Sequence, residues 1–191
     1  MRFDPKELGP LLAIGQSVSV DGVCLTVVRR GEGWVEVEIS PETLRRTNLG
    51  RRRPGQHVNL EPPMAAGDLF GGHIVQGHVD AVGEVLSIAE EGNSWIFRFS
   101  CPAEVRPYCV VKGSITVNGI SLTISALGDC WFEVAIIPHT WEVTNLSEVQ
   151  VGDLVNLEAD VISKYVESHV VRYLDLGAVS ALPGRRPGDA G

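Results

Sequence analysis

The sequence predicts an all-β protein in which one small barrel or sandwich occurs twice, followed by a single C-terminal helix. Three observations carry that expectation. Sliding the 191-residue chain along itself by 97 positions lays residues 17–61 over 114–158 without a gap, with 20 of 45 positions identical. One long period seen twice is a duplicated domain, whereas a solenoid shows many short periods. Within each copy, apolar and polar residues alternate at the two-residue period of a strand and are punctuated by turn residues. Only after Asp160 does the apolar spacing change to that of a helix.

The elements follow in order. Ser17 to Val20 alternates, and Asp21-Gly22 then supplies a tight turn, matched by Asn118-Gly119 in the second copy. Such dipeptides tolerate the positive φ that two-residue hairpin loops require. Val23, Leu25 and Val27 share one face with Cys24 and Thr26 opposite; Ile120, Leu122 and Ile124 share another with Ser121 and Thr123 opposite. Val35, Val37 and Ile39 form the apolar side of the next strand, Pro41 and Pro138 end the strands, and Val58 and Val155 begin the last strand of each unit. His73 to Val85 reads as an early strand of the second copy with no counterpart in the first. At the 97-residue offset Met1 falls opposite Arg98. Asp160 is an N-cap for a helix from Val161 to Leu174. Ile162, Val166, Val170 and Leu174, with Tyr165 and Tyr173 nearby, form one apolar stripe, which either lies on its own barrel or, the favoured reading, meets copies of itself. The string after Gly177 lacks periodicity and reads as a mobile tail. The expected units are residues 1–66, 67–160, 161–177 and 178–191.

A net charge of −8 argues against nucleic acid or an anionic membrane as the main partner. Arg45, Arg46, Arg51, Arg52 and Arg53 read as a solvated loop. No apolar stretch reaches the length of a membrane span and no leader follows Met1, so a cytosolic protein is expected. Cys24, Cys101, Cys109 and Cys130 form no C-x-x-C pair and read as free thiols. His73 and His78 would face opposite sides of a strand, so no metal site is expected unless a bulge at Gly77 joins them.

A six-stranded barrel is only wide enough inside for side chains. Val23, Leu25 and Val27 therefore fill the core, and Cys24, Thr26, Ser121 and Thr123 point outward. Each outward pair leads on to a Pro-x-Thr stretch, Pro41 to Thr43 and Pro138 to Thr140. Small hydroxyls beside backbone groups suit a flat, polar heteroaromatic, and two similar half-sites suit a reaction between two copies of one substrate.

The segments DGVCLTVV, SPETLRRTNLG, GGHIVQGHVD, KGSITVNGISLTIS and IPHTWEVTNL resemble the riboflavin synthase α-chain family, from about Lys6 to Val170. The resemblance implies tandem six-stranded Greek-key barrels, a C-terminal helix that drives trimerisation, substrate held between barrels of neighbouring subunits, and possible association with lumazine synthase. It implies a transferase reaction in which one 6,7-dimethyl-8-ribityllumazine donates a four-carbon unit to another, giving riboflavin and a ribitylaminopyrimidinedione, with no cofactor or metal. The family's binding positions fall on Cys24, Leu25, Thr26, Glu38, Ile39, Ser40, Pro41, Glu42 and Thr43 of the first copy. In the second they fall on Gly77, His78, Val79, Lys112, Ser121, Leu122, Thr123, Ile137, Pro138, His139, Thr140, Trp141 and Glu142. A proton must leave the 7-methyl group of one lumazine and a nucleophile must add at C7 of the other. His78 is the expected proton shuttle, Ser121 and Thr123 hydrogen-bond the substrate, and Cys24 activates or adds at C7. Juxtaposing the two rings supplies proximity.

The family's opening string, close to MFTGIVE, is absent. The first barrel is therefore expected to be N-terminally truncated, with an exposed edge, and the natural chain to start upstream of Met1. Trp141 stands where the first copy has Leu44, and its bulk is expected to narrow the second pocket. Rival readings are a lumazine- or flavin-binding protein without turnover, an inactive shortened form, the flavin barrel of a reductase (which would need a following nucleotide domain), and a purely structural duplicated barrel.

Overall fold

The computed structural model describes residues 1–69 and 71–175. The first unit holds β1 (Arg2–Phe3), β2 (Ser17–Val20), β3 (Val23–Gly31), β4 (Trp34–Val37), the short helix α1 (Pro41–Arg46) and β5 (Leu60–Glu61). The second holds β6 (Ala81–Glu91), β7 (Ser94–Ser100), β8 (Ser114–Val117), β9 (Ile120–Leu127), β10 (Trp131–Ile136), α2 (Pro138–Val143) and β11 (Leu154–Ala159), followed by α3 (Val161–Asp175). The first sheet runs β1-β4-β3-β2-β5, and the second closes into a barrel, β10-β7-β6-β11-β8-β9. In each, three consecutive strands are joined by hairpins and a fourth returns beside the first, the Greek-key connection. The second unit is the expected six-stranded barrel. The first has five strands, and its β1 and β5 carry free edges where β6 joins β7 to β11 in the second.

The alternation read from the sequence sets the faces. Along β3, Val23, Leu25 and Val27 are buried while Cys24 and Thr26 are exposed; along β9, Leu122 and Ile124 are buried while Ser121 and Thr123 are exposed. Asp21 and Asn118 both have φ +47, and Gly22 and Gly119 follow at +76 and +84. These are the primed hairpin turns that match strand twist. The two turns meet back to back: a Cβ on Gly22 would lie 2.6 Å from the Gly119 nitrogen, so packing as well as φ demands glycine there.

Two expectations change. His73–Val85 is not one strand: β6 begins only at Ala81, and residues 71–80 form a loop. The loop is held by the buried Glu158 carboxylate, which accepts the backbone N–H groups of Gln76, Gly77 and His78 at 2.8, 2.9 and 3.1 Å. Arg2, not Met1, stands at the place of Arg98. Arg2 pairs with Glu36 and Arg98 with Glu133 in the strand registers, at 3.0 and 2.7 Å. Each guanidinium also covers its own unit's tryptophan, Trp34 or Trp131, at 4.1 and 4.2 Å from the ring centroid. The repeat thus extends to the first strand, shifted by one residue in the connection to β2.

A buried polar network joins the units about a pseudo-twofold axis. The Asn48 amide donates to Asn118 Oδ1 at 3.1 Å, and Asn156 Nδ2 donates to Asn48 Oδ1 at 2.9 Å. In the mirrored half, Asn145 Nδ2 donates to Asp21 Oδ1 at 2.9 Å and Asn59 Nδ2 to Asn145 Oδ1 at 3.0 Å. Buried polar groups cost stability unless paired, so this network fixes how the units meet. Asp21 breaks the symmetry: it replaces Asn118 and forms a 2.7 Å ion pair with Arg52, whose counterpart is Val149.

The first core is aliphatic, built from Leu12, Val18, Val20, Leu25, Val27, Val35 and Val37. The second is aromatic, centred on Phe97, Phe99 and Phe132, all fully buried. Each such ring contributes about 1.5–3 kcal/mol by leaving water. All four cysteines are free thiols, with Cys101 and Cys109 in the second core. Asp160 Oδ1 accepts the Ile162 N–H at 2.9 Å at the start of α3, and Lys164 bonds Asp80 at 2.7 Å. Ile162, Val166, Val170 and Leu174 are exposed. The predicted residues 176–177 of the helix and the tail 178–191 lie outside the described residues. Among those described, no helix is long and apolar enough to cross a membrane.

Candidate functional site

The structure gathers most of the sequence-predicted residues of the first copy into one cleft of about 540 Å³, lined by Cys24, Leu25, Thr26, Glu38, Ile39, Ser40 and Thr43. The two outward residues of β3 form one wall and the start of α1 the other. Ser40 Oγ accepts the Thr43 N–H at 3.0 Å and contacts Thr43 Oγ1 at 2.9 Å, which caps α1 and fixes both hydroxyls at the rim. Pro41 and Glu42 begin α1 and are exposed; Glu42 is engaged with Arg45 and Arg46 at 2.6 and 3.0 Å, and these bonds hold its carboxyl below the usual range.

The second copy repeats the strand and helix but changes the side chains. Ser121 and Thr123 are exposed on β9 and Leu122 is buried behind them. Ile137 replaces Ser40, so α2 has no side-chain cap. Pro138, His139, Thr140 and Glu142 follow on α2 at the positions of Pro41 to Arg45. The Trp141 ring stacks on Trp95 at 4.2 Å with planes 10° apart and packs against the barrel core. Lys112 adopts left-handed backbone, φ +69, where the first copy has Gly15 at +87. A non-glycine residue there carries about 1 kcal/mol of strain, the kind of cost retained at functional positions.

The loop 71–80 ties both copies together. The Cys24 N–H donates to Gly77 O at 2.9 Å, and a Cβ on Gly77 would lie 2.7 Å from the Cys24 nitrogen. His78 and Val79 therefore approach the first unit's β3 through the backbone, although the sequence reading grouped them with the second copy. The His78 ring is exposed. Earlier in the same loop, His73 Nδ1 lies 2.7 Å from Ser121 Oγ and its Nε2 lies 3.0 Å from Thr116 Oγ1. Burial lowers the His73 pKa, while Asp160 and Glu158 pull it up. The imidazole is thereby kept largely neutral near pH 7, with one ring nitrogen donating and the other accepting. A cleft of about 840 Å³ runs between the units and is lined by Ser17, Ser19, Cys24, His73, Gly77 and Ser121 among others. Glu61, the counterpart of Glu158, also borders it; partial burial raises its carboxyl pKa.

Sequence reasoning missed His73, Thr116 and Glu158 as parts of the site. Gly71, Gly72 and Gly77 were the available signal, because so many glycines argue for a close-packed loop rather than a strand. No group of three or more metal-binding side chains occurs among the described residues.

Comparison with known proteins gives a consistent picture. The family model described as lumazine binding domain matches residues 1–62 and again 76–160. The chain is 52% identical over 157 residues to the riboflavin synthase of Mycobacterium bovis, covering 80% of this chain and 78% of that protein. It is similar to a crystal structure of LumP complexed with riboflavin, at a TM-score of 0.76 and 26% identity, covering 81% of this chain and 84% of that one. A second LumP structure, complexed with 6,7-dimethyl-8-(1'-D-ribityl) lumazine, gives 0.74 and 26%, over 83% and 87% of the two chains.

Proposed function

Because this chain belongs to the riboflavin synthase family, with its paired lumazine-binding domains, we propose that it catalyses the dismutation of two 6,7-dimethyl-8-ribityllumazine molecules to riboflavin and 5-amino-6-(D-ribitylamino)uracil. The observation that carries this reading is the doubled strand face. Cys24 and Thr26 in one unit, and Ser121 and Thr123 in the other, are exposed at equivalent positions of equivalent strands. Two similar half-sites suit a reaction whose two substrates are the same molecule.

The geometry supports the following roles. In the first unit, Thr26, Ser40 and Thr43 offer hydroxyls to the ring edge, and Cys24 stands at the wall where a nucleophile would add to C7. In the second, Ser121 and Thr123 face the substrate, and Lys112 is a further binding residue. Loss of a proton from the 7-methyl group leaves a carbanion delocalised into the pteridine, which these polar groups stabilise without a strong base. His78 serves as a shuttle to solvent. The exposed stripe Ile162, Val166, Val170 and Leu174 supports packing of α3 against copies of itself in a homotrimer, which would bring half-sites of neighbouring subunits together.

The test is to incubate the purified chain with 6,7-dimethyl-8-ribityllumazine and follow riboflavin by chromatography, with sedimentation giving the assembly state. Riboflavin formed in a 1:1 ratio with the pyrimidinedione supports the enzyme. Binding without product supports the second reading, a lumazine- or flavin-binding protein, which the likeness to LumP bound to riboflavin and to lumazine favours.

A further inference from the structure

The second core holds a pair of groups that its packing does not require. Cys101 and Cys109 are each 4% exposed, and their Sγ atoms lie 3.9 Å apart. Cys109 takes the place of Leu12 in the first unit, and each closes a short 3₁₀ turn, Leu12 N–H donating to Gly9 O and Cys109 N–H to Arg106 O. Counted from the match of Arg2 to Arg98, Cys101 takes the place of Pro5, which is also buried. The same scaffold therefore packs with proline and leucine at these two places, and the fold imposes neither thiol.

Local backbone structure brings the sulfurs together. Cys101 N–H donates to Cys130 O at 2.7 Å and Cys109 N–H to Arg106 O at 3.2 Å. Between them the N–H groups of Val105 and Arg106 bond Pro102 O at 3.0 and 2.9 Å, and Tyr108 N–H bonds Val105 O at 3.0 Å. A disulfide sets its sulfurs about 2.05 Å apart, so closure needs roughly 2 Å of approach, the scale of a side-chain rotation. The two thiols are also chemically unequal. A hydrogen bond from Cys109 lowers the Cys101 pKa against the effect of burial, and the Arg106 charge lowers it further. The same bond, together with burial, raises the pKa of Cys109. Cys101 is thus the better source of thiolate, the form that reacts.

We propose that Cys101 and Cys109 are a redox modification site, forming a reversible disulfide on two-electron oxidation by hydrogen peroxide, with Cys101 attacking and Cys109 resolving. The Cys101 thiolate attacks one peroxide oxygen and the O–O bond breaks. Cys101 becomes a sulfenic acid, and the departing hydroxide takes up the proton that Cys101 gave up, leaving as water. The Cys109 sulfur then attacks the Cys101 sulfur, the S–O bond breaks, and hydroxide leaves as a second water with the Cys109 proton. Two thiols and one peroxide give one disulfide and two waters, the sulfurs losing the two electrons that the peroxide gains. Peroxide is little larger than water, so it reaches a nearly buried pair from which bulkier thiol reagents are kept out. The turn inside the ring carries Tyr108, whose hydroxyl bonds Glu167 of α3, and the chain then runs through Val110 and Val111 to Lys112. The bridge therefore stiffens the segment that links α3 to a predicted binding residue.

The test uses the full chain after N-ethylmaleimide has capped the exposed Cys24 and Cys130. Hydrogen peroxide is added in an excess that fully oxidises free cysteine in the same buffer, and three things are read: intact mass, free thiols after denaturation, and cross-linked peptides. The expected result is a mass lower by two hydrogens, loss of both remaining thiols, one peptide linking Cys101 to Cys109, and full recovery with dithiothreitol. Cys109→Ala removes the resolving thiol, so peroxide should leave Cys101 as a sulfenic acid that dimedone captures. Cys101→Ala should leave Cys109 unmodified at the same dose. Thermal melting checks each variant for a retained fold, and Cys109→Leu, which copies the first unit, replaces Cys109→Ala if that variant melts low. Wild-type chain that keeps both thiols under these conditions overturns the proposal. So does oxidation of either sulfur to a sulfinic acid with no linked peptide, and so does a dimedone adduct on Cys109 in Cys101→Ala. None of these readouts involves lumazine, so the outcome is independent of the reaction proposed above.

Discussion

Replacing Arg52 by Val should destabilise the protein severely, and adding Asp21→Asn should recover much of the loss. Asp21 is fully buried. Its Oδ1 accepts the Asn59 N–H at 2.8 Å and Asn145 Nδ2 at 2.9 Å, and its Oδ2 faces Arg52 Nη2 at 2.7 Å. Removing the cation leaves a buried carboxylate without a counter-charge, which typically costs about 3–5 kcal/mol. The double variant, Asp21→Asn with Arg52→Val, copies the chemistry that the second unit already uses, Asn118 with Val149. Its residual cost is one unsatisfied amide donor, as Asn118 Nδ2 already is, or about 1–3 kcal/mol. In urea, where stability falls by about 1–3 kcal/mol per molar, the single variant should lose about 2 M in midpoint. The pH dependence has a definite sign. Burial raises the Asp21 pKa above its ordinary 3.8, with Arg52 pulling the other way. A carboxyl with a raised folded pKa is most favourable to the fold when protonated, and its contribution falls as pH rises from 3.8 through the folded value. Without Arg52 that pKa climbs further, so the Arg52→Val penalty should be largest at neutral pH and shrink on acidification. Equal penalties for the single and double variants at pH 7, or a penalty that grows on acidification, would refute the reasoning.

Lys112→Gly should raise stability by up to about 1 kcal/mol by relieving left-handed backbone, while weakening lumazine binding; denaturant melts and fluorescence titration read the two effects separately. Trp95→Ala removes the ring on which Trp141 stacks at 4.2 Å; the loss should be about 3 kcal/mol in a melt, with Trp95→Phe losing less than half as much. A thiol reagent should titrate the exposed Cys24 and Cys130 in the native protein and reach Cys101 and Cys109 only on unfolding, and four equally fast thiols would contradict the packing of the second core.

The duplication, the hairpin turns and the buried faces were legible because each is a local pattern. Val23, Leu25 and Val27 alternate within five residues, and Asn118-Gly119 announces its own turn. The capped helix was equally local, with Asp160 bonding the N–H of Ile162 two residues on. What escaped was set by distance along the chain. Glu158 holds the loop 80 to 82 residues before it, and His73 meets Ser121 across 48. Their spacing carries no periodic trace. The paired Asn48/Asn145 and Asn59/Asn156 were visible as identities in the repeat, yet nothing local distinguishes an interface amide from an ordinary turn residue. His73 to Val85 looked like one strand because Ile74, Val75 and Val79 are apolar there. The loop forms instead because a buried carboxylate offers its N–H groups a charged acceptor, which a ladder carbonyl does not match.

The departures from symmetry are more informative than the symmetry. Equal half-sites would bind two lumazines alike, yet the proposed reaction needs one to lose a proton and the other to be attacked. The chain keeps the scaffold and changes the chemistry at matched positions: Cys24 against Ser121, Ser40 against Ile137, Gly15 against Lys112. The interface follows the same logic, since Asp21 and Arg52 place an ion pair where Asn118 and Val149 place none. The loop 71–80 belongs by sequence to the second unit but touches both half-sites, Cys24 through Gly77 and Ser121 through His73, so one short segment meets different chemistry at its two ends. With the scaffold shared, it is these side-chain differences at matched positions that can tell the two proposed roles of one substrate apart.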